Sequence, residues 1–256
     1  MKRWTLIILT LFGFFHANAI GAEKIAIIAD EWPQMDLLAE KLLGQAGYEI
    51  DKFVQEKCPA DLSGYYAAFS FIHGNMSAKA ADALMKFARN GGRLIVLHHG
   101  ISSKKRNTPG WLPFLGIYLA PNDDKAAPYS WTEDVDYLLV NLQPHHYISS
   151  HNVKYDKTVS YQSSDFPSQS IDAPALEIPD SEVYFNHQFI DGREKTVLFG
   201  FLYEDKNGIK TMQDRGGWYK PVEKGWVFYF KPGHSVKDIE NPNYFQIIWN
   251  CLTWKP

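Results

Sequence analysis

Asn90-Gly91-Gly92-Arg93-Leu94-Ile95-Val96-Leu97-His98-His99-Gly100 is the stretch that decides how this chain is read. The asparagine and two glycines stop a preceding helix, because glycine tolerates the left-handed backbone on which helices end. Arg93 to Leu97 then forms a short apolar run, the pattern of a strand buried on both faces. Two imidazoles follow at its carboxyl end. Upstream, Ser77 is placed to cap a helix through Arg89, with Ala80, Leu84, Phe87 and Ala88 as its apolar stripe. Before that helix, Lys24–Asp30, Tyr48–Val54 and Tyr66–Ile72 read as strands. Between the first two, Pro33–Gln45 reads as a helix ended by Gly47. Strand, helix, strand, strand, helix, strand predicts an α/β fold: a doubly wound, mostly parallel sheet with helices on both faces.

The remainder is less regular. Residues 100–135 carry Pro109, Pro113, Pro121 and Pro128 and read mainly as loop, with a helical turn or two at Trp111–Leu115 and a strand at Val135–Val140. Residues 141–180 are polar, so short edge strands are expected there, one within Val153–Tyr161. Thr196–Tyr203 and Trp226–Phe230 read as strands and Asn241–Trp254 as a closing helix.

The chain has 256 residues, 45% hydrophobic and 21% charged, enough apolar content for a packed core. A net charge of -3 argues against a nucleic-acid partner. Lys2 and Arg3, the apolar run Trp4–Phe15 and Ala17-Asn18-Ala19 form a secretory signal over residues 1–19. The expectation is an exported, periplasmic protein with one domain over residues 20–256. No cysteine near the cleavage point suggests a lipid anchor, and no second long apolar stretch suggests a membrane span. An oxidising compartment would permit a Cys58–Cys251 disulfide; the favoured expectation is two buried thiols.

Candidate chemistry gathers after the strands. Ligands of doubly wound sheets bind beyond the carboxyl ends of the strands, which is where His98 and His99 fall. His234 and Gly233, in Lys231-Pro232-Gly233-His234-Ser235, follow another strand, and His73 follows a third. Glu182 and Tyr184 share a side if Asp180–Tyr184 is extended. A carboxylate among imidazoles can ligate a metal or move protons. His145, His146, His151 and His187 rank lower, and none has the spacing of H-E-x-x-H. The chain has no G-x-S-x-G, no G-x-G-x-x-G and no P-loop, so neither a serine hydrolase nor a nucleotide cofactor is supported.

Three stretches resemble the ThuA-like (trehalose-utilisation) family: "GGRLIVLHHG" followed by "GWLPFLG", "DSEVYFN", and "KGWVFYFKPGHSVKDIENPNYFQIIWNCLTW". The resemblance covers roughly residues 24–254. It implies a flavodoxin-like fold similar to class I glutamine amidotransferases, without their cysteine nucleophile. It also implies a carbohydrate-related role, with His98, Glu182 and His234 lining the pocket and able to hold Zn²⁺ or Mn²⁺. The expected catalytic groups are His98, His99, Glu182 and His234; the expected substrate contacts are Tyr184, His73, Trp111 and Gly233. The function expected is that of a sugar hydrolase, lyase or isomerase acting on a small modified carbohydrate such as a keto-glycoside. The alternative is a non-catalytic periplasmic sugar-binding protein. Where the family often has a His-Pro pair, this chain reads Asp165-Phe166-Pro167-Ser168, and Trp226 stands where an arginine is common.

Overall fold

The computed structural model describes residues 23–45, 48–192 and 194–256. The expected signal segment and Gly47 lie outside them. Among the described residues the strands are β1 (Glu23–Ala29), β2 (Tyr48–Phe53), β3 (Ala67–Phe71), β4 (Arg93–Leu97), β5 (Ile117–Leu119), β6 (Ser130–Asn141), β7 (Lys157–Gln162), β8 (Ser170–Phe185), β9 (His187–Phe189), β10 (Thr196–Glu204), β11 (Lys210–Val222) and β12 (Gly225–Phe230). The α-helices among them are α1 (Pro33–Gly44), α2 (Ala78–Arg89), α3 (Trp111–Leu115), α4 (Tyr147–Ser150), α5 (Val236–Glu240) and α6 (Pro242–Thr253).

Ten strands form one sheet in the order β2-β1-β3-β4-β12-β11-β10-β6-β8-β7, and β5 pairs with β9 separately. From β2 to β12 every pairing is parallel; from β12 to β7 every pairing is antiparallel. The sheet is therefore mixed, and the mostly parallel expectation holds for half of it. Alternation along β1 sends Ile25, Ile27 and Ala29 to one face and Ala26 and Ile28 to the other. The first face is covered by α1 and α6 through Met35, Leu38, Leu42, Phe245 and Ile248. The second is covered by α2 and α3 through Ala80, Leu84, Trp111 and Leu115.

Local signals explain the helix ends. Ser77 Oγ accepts the Ala80 N–H at 3.2 Å, and Asn241 Oδ1 accepts the N–H groups of Asn243 and Tyr244 ahead of α6. The polar middle departs from expectation. The expected short edge strand is there as β7, at the end of the sheet, but beside it stand β8, sixteen residues long, and a twelve-residue β6 where loop was read up to residue 135. The thirteen-residue β11 was not read at all. Pro174, Pro179 and two aspartates mask β8, and Gly216-Gly217 masks β11, yet cross-strand pairing with β6, β10 and β12 overrides these weak local preferences. Cys58 and Cys251 are buried free thiols. Among the described residues no helix is long and apolar enough to cross a membrane.

Candidate active site

The antiparallel half brings β8 round so that its end stands over the carboxyl ends of β4 and β12. A cleft of about 300 Å³ opens there, lined by His73, His99, Tyr129, Trp131, Glu182, Tyr184 and His234, among others.

Glu182 is the hub. Its Oε2 lies 2.8 Å from His98 Nε2, accepts the Tyr184 hydroxyl at 2.8 Å, and sits 3.3 Å from His234 Nδ1. Extended backbone puts Glu182 and Tyr184 on one side, as expected. His98 has a left-handed backbone, φ 39°, a conformation costing about 1–2 kcal/mol. That turn lets both consecutive imidazoles reach the same carboxylate: His99 lines the cleft, and His98 lies fully buried beneath it. A Cβ on Gly233 would stand 3.2 Å from His98 Cβ, so this glycine permits the close approach of the two loops. Asp238, at 0% exposure, fixes the second loop by accepting the N–H groups of Gly233 and His234 at 2.7 and 2.8 Å and the Ser181 hydroxyl at 2.8 Å.

Counting protons settles the tautomers. The Lys231 carbonyl can only accept, so His98 Nδ1, 2.6 Å away, carries the proton and donates to it. Its Nε2 faces the Glu182 carboxylate, donating to it when the ring is protonated and offering a lone pair to a cation when it is not. Tyr184 has one hydroxyl proton, and the ionised Glu182 can only accept it. His99 Nδ1, 2.7 Å from Tyr184 Oη, is therefore a donor, and the lone pair of His99 falls on Nε2.

Burial lowers the pKa of His98 despite the opposing Glu182 charge, and burial brings His99 down to about 4. Burial alone would raise the Glu182 carboxyl. The contacts from His234, His98 and Tyr184 outweigh it and hold the group well below the usual carboxylate range. Glu182 in turn raises His234. His234 Nδ1 is close to Glu182 but misaligned, a buried nitrogen with no hydrogen-bond partner, so the attraction between them is electrostatic.

Three imidazoles around one carboxylate, one of them with a buried nitrogen that has no hydrogen-bond partner, are the donor set of a cation site. Ligand atoms of His98, His99, Glu182 and His234 all lie within 4.8 Å of one another. Two imidazoles and a carboxylate, with one ring oriented by a backbone carbonyl, fit a divalent ion.

The expected residues His73, His98, His99, Glu182, Tyr184 and His234 thus converge. Two do not face the cleft. Trp111 is fully buried, and its indole N–H donates to the Gly100 carbonyl at 2.8 Å, so it supports the loop after β4 from behind. The Gly233 N–H is spent on Asp238 and is not free for a ligand. Of the lower-ranked histidines, His187 is buried between Phe189 and Tyr229, and His146 caps α4 through the Ile148 N–H. His145 and His151 are exposed and belong to neither ligand cluster. Sequence reading passed over Glu31, Tyr129, Trp131, Lys231 and Asp238. Glu31 had a readable signal, since it is the second residue after β1, as His73 is after β3 and His99 after β4.

A profile described as ThuA, trehalose utilisation, matches residues 29–255. The crystal structure of a ThuA-like protein from Bacteroides uniformis is similar at 17% identity and TM-score 0.58, covering 93% of this chain and 94% of that one. A GH42 β-galactosidase variant from G. stearothermophilus is similar at 17% identity and TM-score 0.51, covering 91% of this chain but 30% of the enzyme. At these identities the likeness concerns the fold. No curated protein matches in sequence.

Proposed function

The chain belongs to the ThuA (trehalose-utilisation) family, and from that premise we propose that it is an exported enzyme acting on a carbonyl-bearing sugar such as a keto-glycoside. The observation that carries this reading is the convergence of His98, Glu182 and His234, from three distant stretches, under a cleft sized for a small ligand. In this reading the three residues hold Zn²⁺ or Mn²⁺. Such an ion supplies Lewis-acid polarisation of a carbonyl oxygen.

The chain's own groups do the rest. Tyr184 donates to Glu182 and keeps it ionised and fixed in position. The Lys231 carbonyl holds His98 in the tautomer that presents Nε2. In this reading a cleft-wall imidazole that holds no ion can move a proton on the carbon next to the polarised carbonyl. The half-exposed Trp131 offers an aromatic face to a sugar ring at the cleft mouth. The finer fold assignment, a flavodoxin-like doubly wound half, belongs to the same proposal. It is supported by the order β2-β1-β3-β4-β12 and by helices on both faces.

The test is turnover of a panel of oxidised disaccharides by purified protein with Zn²⁺ or Mn²⁺, compared with His98→Ala. Turnover that falls in the variant supports the reading. Absence of turnover across the panel overturns it, and sugar binding without turnover would favour the non-catalytic binding protein. Export is tested separately, by sequencing the amino terminus of the protein recovered outside the cytoplasm; a start at Met1 would reject it.

A further inference from the structure

We propose that Glu31, His73 and His99 form a second divalent-cation site in the same cleft, beside the one formed by His98, Glu182 and His234. The proposal extends the metal reading above but stands on different atoms. Glu31 follows β1, His73 follows β3 and His99 follows β4, three neighbouring parallel strands. The chain winds from β1 over one face through α1 and from β3 over the other through α2, so β1 and β3 flank the point where the winding reverses. Open α/β sheets bind ligands at that crevice.

The ligand atoms of the three side chains lie within 4.8 Å of one another. Glu31 uses one oxygen for each ring: Oε1 contacts His73 Nδ1, and Oε2 lies 3.5 Å from His99 Nε2. Nδ1 of the same ring is engaged by Tyr184, so Nε2 is the nitrogen that His99 turns toward Glu31. A divalent cation can take that nitrogen together with Glu31 and His73, and the Tyr184 oxygen behind His99 fixes the ring.

The loop bearing His73 is held from below. Asp30 accepts the N–H groups of His73 and Gly74 at 2.6 and 2.8 Å, and Lys105 Nζ donates to the Gly74 carbonyl at 2.8 Å. Glu31 and His73 are about 36% and 43% exposed in their side chains, so an ion there keeps an open side for substrate. Three protein ligands and an open position is the pattern of ions that meet substrate. Two ions within one cleft suit a sugar that presents two neighbouring oxygens, a carbonyl and an adjacent hydroxyl.

The experiment uses the full chain stripped of metal and dialysed against Zn²⁺, with bound zinc measured by elemental analysis. Two ions per chain are expected in the wild type and one in each of His73→Ala, Glu31→Gln and Glu182→Gln. Loading with Mn²⁺ should give a spin-coupled paramagnetic resonance signal that His73→Ala converts to that of an isolated ion. His73 is exposed enough for its variant to fold, which circular dichroism checks. A wild type holding one ion that His73→Ala keeps and Glu182→Gln loses overturns this proposal and spares the first site. One ion lost by His73→Ala and kept by Glu182→Gln does the reverse. Two ions retained in both His73→Ala and Glu31→Gln also overturn it, and no ion in the wild type overturns both sites.

Discussion

Replacing Glu182 by glutamine keeps the size of the side chain and removes its charge. The carboxylate stands 2.8 Å from His98 Nε2 and 3.3 Å from His234 Nδ1, so both rings share it. Loss of groups that merely orient a metal's ligands costs about 10- to 100-fold in metal affinity, and loss of a charged ligand costs at least the upper value. A 100-fold loss corresponds to about 2.7 kcal/mol. A ligand that binds only the folded state stabilises it in proportion to the logarithm of its affinity. In a chain of this size each kcal/mol moves Tm by about 2–4 °C. The gain in Tm that saturating Zn²⁺ confers on the wild type should therefore shrink by about 5–10 °C in Glu182→Gln, read by differential scanning calorimetry. Without metal the variant should be less stable, because the attraction of the carboxylate to His234 and its contact with His98 are lost. Glu133→Gln, which removes a cleft carboxylate that belongs to neither ligand cluster, is the control and should change neither value. An equal zinc-induced gain in wild type and Glu182→Gln would refute the reasoning. So would an equal loss in Glu133→Gln.

Three further outcomes are expected. Lys105 is fully buried, and desolvation lowers its pKa from 10.5 to about 7. Between those values the unfolded chain binds more protons. Stability should then rise with pH from about 7 to about 10.5 by up to about 1.4 kcal/mol per pH unit, and Lys105→Met should flatten that slope in urea titrations. A Cβ on Gly225 would meet the Ala88 and Gly92 carbonyl oxygens at 2.2 and 2.5 Å, so Gly225→Ala should cost about 3 kcal/mol or more and lower Tm. Trp131→Ala should leave Tm unchanged, since the ring is 45% exposed. The same change should weaken sugar binding by about 2- to 10-fold in calorimetry, the scale of one aromatic contact.

The parallel half of the fold was legible because each of its strands is a short apolar run between punctuating residues, and Arg93–Leu97 was read to the residue. The antiparallel half was not. β8 alternates buried and exposed positions only in part and carries Pro174 and Pro179; its extended form is imposed by β6 on one side and β7 on the other. The site followed the same division. His73, His98 and His234 were found because they follow strands that could be read. Glu182 and Tyr184 were found from their own spacing. Trp131 was missed because β6 was thought to start five residues later, so nothing indicated that it pairs with Tyr184 at the cleft mouth. Trp111 was misjudged because sequence alone does not distinguish a buried indole from one on a wall.

β4 pairs with β3 on one edge and with β12 on the other, yet about half the length of the chain separates β4 from its second neighbour. During synthesis the edge Leu94–Leu97 therefore stays open, an apolar ribbon of unpaired amides and carbonyls, until the final quarter has emerged. Open apolar edges recruit other chains. A fragment ending before Gly225 should accumulate as aggregate, and any cell making this protein has reason to keep a chaperone on it until its last helix is free.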